Sequence, residues 1–418
     1  MTPHPTNDAL VVDLNADLLG GNLADEAFWA AIKQDWRNAL VRQPRTSISP
    51  DEIDIEHLPW DEDTLARLEQ ARHAGRRCIL QAETPELAAR VGAALGLFDE
   101  TRAAPTGAQP RTQPRPTRRR GPILLETLHA MRPHQWVKNL LVFLPMLLDH
   151  SFTLPAFGWS LVAFLSFSAI ASGVYLLNDL SDLAADRRHP TKRARPFAAG
   201  RLPLALGTRA VPLLFATGFV LAALGGWSLA LVMLLYAVTT TAYSFRLKGL
   251  LAADVIVLAV LYTLRMMAGS AATGIAPSMW FLSFAIFIFL SLGAVKRLAE
   301  LTDLVASEAD SPGHSQPAGR AYITEDRPVI AMIATSAGFG AVLVLALYMD
   351  SAEVRAQYDR PEVLWGVSLV VLFWISRTVL LAHRGEVNQD PVIFALTDKA
   401  SRWAGLVTVL LVFAASVG

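Results

Sequence analysis

Leu161 to Leu177 is an apolar run that leads directly into Asn178-Asp179-Leu180-Ser181-Asp182-Leu183-Ala184-Ala185-Asp186-Arg187-Arg188-His189-Pro190-Thr191-Lys192-Arg193-Ala194-Arg195-Pro196. The run is long enough to cross much of a bilayer. If the helix continues beyond it, Asp179, Asp182 and Asp186 fall at i, i+3 and i+7 and share one face. Unpaired, the three carboxylates repel one another, and a hard divalent cation removes that penalty. Magnesium prefers a few carboxylates plus substrate phosphate oxygens. His189-Pro190 then breaks the helix, and Lys192, Arg193 and Arg195 offer charge to a phosphate or diphosphate, arginine being able to grip two oxygens at once. Asn178 can orient a ligand or bond a carboxylate. A solvated loop that only fixes topology is the plain alternative; the helical register of the acids against an apolar span favours a metal-diphosphate site.

Outward from this stretch, the composition is that of a membrane protein. The chain has 418 residues, 53% hydrophobic and 18% charged, against about 25% charged in soluble domains. The zero net charge hides a division: residues 1–106 hold ten Lys and Arg against eighteen Asp and Glu, and residues 107–120 hold five Arg and no acid. The single cysteine, Cys78, excludes an intrachain disulfide and a cysteine metal cluster. The N-terminus lacks a basic start and an apolar core, and Asp8, Asp13 and Asp17 interrupt it, so it does not read as a signal peptide.

Apolar runs give nine candidate spans, at about 126–149, 157–177, 208–226, 228–246, 251–272, 279–296, 328–349, 362–383 and 401–417. With the head in the cytoplasm, the loops at 178–207, 246–250, 297–327 and 384–400 carry thirteen Lys and Arg, from Arg187 to Lys399 and including Arg320; the opposite loops carry Arg355 and Arg360 alone. This bias is the positive-inside pattern and implies a multi-pass protein with a cytoplasmic N-terminus. Residues 103–122, with Pro105, Pro110, Pro114, Pro116 and Pro122 among arginines, read as a linker. Arg118, Arg119 and Arg120 read as an anchor on anionic lipid. The head, residues 1–102, reads as a small α/β unit with a parallel sheet: strands at Leu10 to Leu14 and Arg77 to Gln81, helices at Leu23 to Leu40, Leu65 to Ala74 and Pro85 to Leu97.

Further polar groups sit in or beside the spans. Tyr243-Ser244-Phe245-Arg246-Leu247-Lys248 closes the fourth, and Asp254 enters the fifth, where a carboxylate is expensive and is a candidate for function or for pairing with Lys248 or Arg246. Arg265 follows on nearly the same face, as an interhelix pair or a ligand. Arg132, Gln135, Lys138 and Asn139 lie in the first span, Lys296-Arg297 ends the sixth, and Arg377 lies in the eighth. Each alone reads as a snorkelling anchor; together they make a cation-rich mouth on one membrane face.

These motifs resemble the UbiA superfamily of intramembrane prenyltransferases, Asn178 to Asp186 standing where that family has its first Asp-rich motif. The resemblance covers residues 124–418 and implies a mainly α membrane protein, a nine-helix bundle around a cavity, with the small cytoplasmic α/β domain before it. Arg132-Pro133-His134-Gln135-Trp136-Val137-Lys138-Asn139, His189 to Pro196, and Tyr243-Ser244 with Leu247-Lys248 and Asp254 are similar to the decaprenyl-phosphate phosphoribosyltransferase branch. That branch transfers 5-phosphoribose from phosphoribosyl pyrophosphate to a polyprenyl phosphate. The resemblance implies a Mg²⁺-dependent enzyme of a bacterial-type inner membrane, serving cell-envelope synthesis, with Asp179, Asp182 and Asp186 as catalytic metal ligands. It further implies that Lys138, Asn178, Lys192, Arg195, Tyr243, Lys248 and Asp254 bind substrate. No nucleic-acid partner is expected. The head resembles a truncated, degenerate haloacid dehalogenase-like domain: Val11-Val12-Asp13-Leu14-Asn15 keeps the first Asp of Asp-x-Asp and has Asn15 in place of the second, and Gln81 stands where Ser or Thr is expected. An inert regulatory or docking module follows.

Two other functions stay open. A prenyltransferase moving a polyprenyl chain from its diphosphate to an aromatic or other small acceptor also uses an Asp-rich motif and magnesium, whereas Lys192 to Arg195 favour a donor with more phosphate. A transporter also places charges in spans, but predicts no Mg²⁺-dependent product.

Overall fold

A computed structural model describes residues 9–19, 21–41, 54–103, 122–308, 321–387 and 390–417. Residues 104–121 of the expected linker, Arg118 to Arg120 among them, lie outside the described residues, as do Asp8 and Arg320. The chain forms two compact units, Met1–Pro133 with Ser172–Phe215, and His134–Ala171 with Ala216–Gly418.

In the first unit, β1 (Leu10–Asp13), α1 (Leu23–Val41), α2 (Glu62–His73), β2 (Cys78–Ala82), α3 (Pro85–Leu95) and β3 (Glu100–Ala103) make a parallel sheet in the order β1-β2-β3. The apolar strand faces and the helices bury Val12, Leu14, Leu68, Leu80, Leu87 and Val91 together. Asp61 and Thr84 cap α2 and α3 by accepting from Thr64 N–H and Leu87 N–H, and Gly96 ends α3 in the left-handed region. Asp13 has a local task as well: its carboxylate accepts from the N–H groups of Asn15 and Ala16 and opens the helical turn Leu14–Leu18. The third strand was not expected; Glu100–Ala103 is short and polar, without the apolar alternation that marks a strand.

Beyond the head, the chain is helical: α4 (Ile123–Met131), α5 (Leu144–Leu148), α6 (Leu154–Ser181), α7 (Leu183–Arg188), α8 (Leu204–Leu224), α9 (Trp227–Phe245), α10 (Ala253–Thr273), α11 (Met279–Glu308), α12 (Arg327–Met349), α13 (Ala352–Gln357), α14 (Trp365–His383), α15 (Pro391–Thr397) and α16 (Lys399–Ser416). Eight of these are long and apolar enough to span a membrane among the described residues, and large apolar side chains such as Leu213, Leu343 and Leu369 face outward from them. Such a surface suits lipid, and the chain is a multi-pass integral membrane protein.

The count differs from the nine expected. Segment 126–149 is α4, then a tight helix over Pro133–Phe143, then α5. Pro133 disfavours ordinary helix at the residue before it; Arg132 there adopts φ 54° and ends α4. Pro145 removes another amide donor. In the second unit the tight helix buries Lys138, Asn139 and Val142, and α10 makes room at Gly269, where a Cβ would strike the Val142 carbonyl. Gly269→Ala is therefore expected to destabilise the protein by about 1–3 kcal/mol, read as a lower thermal midpoint of the detergent-purified chain; an unchanged midpoint would mean that this close approach is dispensable.

Candidate active site

α6 has 28 residues, a length of about 42 Å against a hydrocarbon core of about 30 Å, and its end from Ser172 onward belongs to the first unit. Asp179 stands on its last turn and Asp186 on α7, and each is only 2% exposed. Both carboxylates converge on one nitrogen: Arg195 Nη1 lies 3.1 Å from Asp179 Oδ1 and 2.6 Å from Asp186 Oδ2. Arg132 Nη2 donates to the same Asp179 oxygen while its guanidinium lies over the Tyr175 ring. The left-handed turn that ends α4 is what carries Arg132.

Asp182 goes elsewhere. The helix does not run through the motif but stops at Ser181, and Asp182 takes φ −101° and ψ 13° before α7 begins. The shared face expected from continuous helical spacing is thus broken at its middle member. Asp182 Oδ1 receives Lys33 Nζ from α1 at 3.1 Å, in a pair whose side chains are 38% and 48% exposed. Asn178 is half-buried and passes its carbonyl to Asp182 N–H. Lys192 and Arg193 are exposed, on the turn between α7 and Pro196. His189 Nδ1 accepts from Thr191 N–H; burial first, then the charge of Lys192, push this imidazole below its ordinary pKa and keep it an acceptor.

Among the described residues no three His, Cys, Asp or Glu side chains gather around one point. Two do, with a guanidinium nitrogen between them. The position between Asp179 and Asp186 is built for positive charge, and two carboxylates completed by phosphate oxygens are a donor set suited to magnesium.

The second unit holds two further clusters. Asp254, fully buried, accepts from Tyr243 Oη at 2.7 Å and pairs with Arg297 Nε at 2.8 Å. Arg297 is equally buried, also pairs with Glu300, and lies under the Tyr322 ring, so it is no surface anchor. Lys248 lies on the turn Leu247–Gly249 that follows α9, half-buried. In the other cluster, Lys138 Nζ contacts Asp390 Oδ2 at 2.7 Å, Lys296 Nζ approaches the same oxygen at 3.5 Å, and Tyr262 Oη donates to Oδ1 at 3.0 Å. Beside it Arg265 donates to Asn139 Oδ1 at 3.1 Å and stacks among Phe167, Tyr236 and Tyr262, with its ring centroids 5.0, 5.4 and 5.2 Å away. Arg265 therefore pairs with no acid of α10. Arg377 holds Asp398 at 2.8 Å.

Asp390, Tyr262 and the partnership of Lys296 were missed in the sequence. Asp390-Pro391 carries a helix-start signal, and Asp390 does accept from Val392 N–H; nothing local marks its two lysines.

Residues 140–305 match the UbiA prenyltransferase family. The nodulation protein NoeC of Azorhizobium caulinodans is 40% identical over 275 residues, 65% of this chain and 87% of that protein. The chain belongs to the UbiA prenyltransferase family. A decaprenyl-phosphate phosphoribosyltransferase of Mycobacterium tuberculosis is 41% identical over 191 residues, and the match spans 43% of this chain and 61% of that enzyme. A UbiA homolog from Archaeoglobus fulgidus, solved bound to GPP and Mg²⁺, has a TM-score of 0.51 at 17% identity over 70% of this chain and 100% of its own. It shares the fold. This UbiA-family chain is a membrane-embedded transferase.

Asp390 yields a pH prediction. Burial alone would raise its pKa, but the charges of Lys138 and Lys296, with hydrogen bonds from Lys138 and Tyr262, overcome it and hold the carboxyl down at about 2. Its unfolded value is about 3.9, so its stabilisation is complete above that pH and is lost as pH falls towards 2, by about 2–3 kcal/mol. Thermal midpoints measured from pH 6 down to pH 2.5 should fall more steeply for the natural chain than for Asp390→Asn; parallel curves would remove the assignment.

Proposed function

We propose that this transferase moves 5-phosphoribose from phosphoribosyl pyrophosphate to a polyprenyl phosphate, releasing diphosphate, at the cytoplasmic face of a bacterial inner membrane with its N-terminus in the cytoplasm. The observation that carries the reading is the convergence of buried Asp179 and Asp186 on Arg195, with Arg132 on the same carboxylate. Acids and guanidinium groups share that place, as a metal-diphosphate leaving group requires. The likeness to the mycobacterial phosphoribosyltransferase supports the choice of sugar and lipid.

Asp179 and Asp186 would hold Mg²⁺, and Asp182 becomes available to it once Lys33 lets go. When bound, the ion neutralises charge that builds on the departing diphosphate. Arg195 and Arg132 grip phosphate oxygens in forked geometry, Lys192 draws the anionic donor to the exposed turn, and Asn178 orients the Asp182 turn. From the second unit, Lys138, Tyr243, Lys248 and Asp254 are assigned to substrate binding. The bond from ribose C1 to the diphosphate oxygen breaks with its electron pair on that oxygen, and a lipid phosphate oxygen closes the new C1–O bond. The developing positive charge at C1 requires no covalent nucleophile from the protein.

Membranes carrying the chain are expected to pass label from phosphoribosyl pyrophosphate into extractable lipid when polyprenyl phosphate and Mg²⁺ are present. Unlabelled lipid, under conditions in which an aromatic acceptor becomes prenylated, would overturn the reading in favour of prenyl transfer. Asp186→Asn should lower kcat by about 100-fold or more at unchanged protein level, and retained turnover would remove the metal role.

A further inference from the structure

Within the first unit, the segment that carries Asp186 and Arg195 is fastened by the α/β head. Arg187, next to Asp186, forms a forked pair with Glu26 of α1, Nη1 to Oε2 at 2.9 Å and Nη2 to Oε1 at 2.7 Å. The two side chains are 8% and 9% exposed, so the pair is shielded from the screening that weakens surface ion pairs. The same guanidinium reaches a third element, its Nε lying 3.3 Å from the carbonyl of Ala198, three residues after Arg195. One arginine thus ties the head helix to α7 on one side of the acids' cation and to the Pro196–Gly200 turn on the other.

Apolar packing supports the same join. Trp29 of α1 is buried with Leu176, Leu180, Leu183, Phe197 and Leu202, and its indole N–H donates to Thr208 Oγ1 at 3.0 Å. Two more head side chains reach the segment, Lys33 on Asp182 and Asp54 on Arg188 at 2.9 Å, but both contacts are partly open to water. A cleft of about 290 Å³ runs along the join and is lined by Glu26 and Trp29 as well as by Lys33, Asp54, Arg187 and Arg188. The buried pair and the tryptophan are the rigid part of the join.

We infer that the head is a positioning module for the acidic site, and that Glu26, acting through Arg187, is a positioning residue that sets Asp186 and Arg195 at their mutual distance. This rests on the assignment of Asp179, Asp186 and Arg195 to the metal-diphosphate site. The geometry explains why an acidic residue of the head is buried against the membrane-proximal turn, and it gives the head a task that needs no catalysis of its own. Losing a group that orients a metal-binding carboxylate usually lowers metal affinity by about 10- to 100-fold.

The test uses the full chain in lipid nanodiscs, comparing the natural protein with Glu26→Gln and Arg187→Lys, since lysine keeps the charge but lacks the planar fork that grips both Glu26 oxygens while Nε reaches Ala198. Two quantities are read: hydrogen exchange of peptides covering 182–200 with and without Mg²⁺, and the Mg²⁺ concentration that half-saturates the protection. Both variants should exchange about tenfold faster over 182–200 and need about 10- to 100-fold more Mg²⁺, with exchange at 10–19 and 78–82 unchanged. Where transfer is measurable, the Mg²⁺ requirement should rise while the KM for lipid stays the same. Unchanged exchange and Mg²⁺ demand overturn the inference, and so does equal loss of protection across the head, which would make Glu26 a residue of head stability. The exchange readout does not depend on which group is transferred, so failure of the phosphoribosyl reading leaves it standing or falling separately.

Discussion

Carboxylates withdrawn from water need a cation, and the site in the first unit depends on how Asp179 and Asp186 obtain theirs. Arg195 stands between them and Arg132 shares the same Asp179 oxygen. Removing one partner from a buried pair typically costs about 3–5 kcal/mol, because the remaining charge is stranded. That penalty constrains everything that carries these groups: the end of α6, the break at Asp182, the short α7 and the turn before Pro196 must hold together or the acids repel one another. The second unit obeys the same rule with other partners, Asp254 against Arg297 and Asp390 between Lys138 and Lys296.

The spans were legible because a membrane helix declares itself by continuous apolar length. Leu154–Ser181 contains the expected 157–177, and Ala253–Thr273 matches 251–272 within two residues. The sequence singled out the Asp-rich stretch for a metal and Arg195 for a phosphate, and the structure pairs Arg195 with Asp179 and Asp186 themselves. The break inside the stretch was not legible: spacing assigns one face only if the helix continues, and nothing in Leu180-Ser181-Asp182 signals a stop as Pro190 does later. Segment 126–149 shows the reverse. Pro133 and Pro145 were there to be read, but its apolar content outweighed them. Asp390 escaped because its partner Lys138 is 252 positions away, and a contact of that separation leaves no local pattern.

The head presents a different lesson about retained residues. Asp13 looks like a remnant of catalysis when only its sequence neighbours are considered. In the fold its carboxylate accepts two backbone N–H groups, and Asn15 accepts another from Leu23. Capping of this kind is worth about 1 kcal/mol, which is reason enough for an acid at that position whatever chemistry the head has. The polar composition of 104–121 likewise suggests a clean division between head and helices, whereas Trp29 of α1 lies in one apolar cluster with Leu180 and Phe197. Composition records where the chain changes character; packing records what is built together.

The proposed chemistry and the observed ion pairs pull on the same atoms. Two guanidinium groups, Arg195 between the carboxylates and Arg132 on Asp179, balance their two charges, which lets the acids stay buried when no substrate is bound. This also makes the Arg195 guanidinium the competitor of any divalent ion, so binding by the acids requires Arg195 to find a new anion. A diphosphate supplies one: its oxygens accept the freed forked donors at the moment the carboxylates accept the ion. On the proposed chemistry, metal and diphosphate would favour each other's binding, because either alone would strand a charge, and release of Asp182 by Lys33 would extend the same exchange to the third acid. On this argument Asp179, Asp186 and Arg195 would act as one charge-exchange device, the acids and the guanidinium each serving as the other's counter-ion until the substrate arrives.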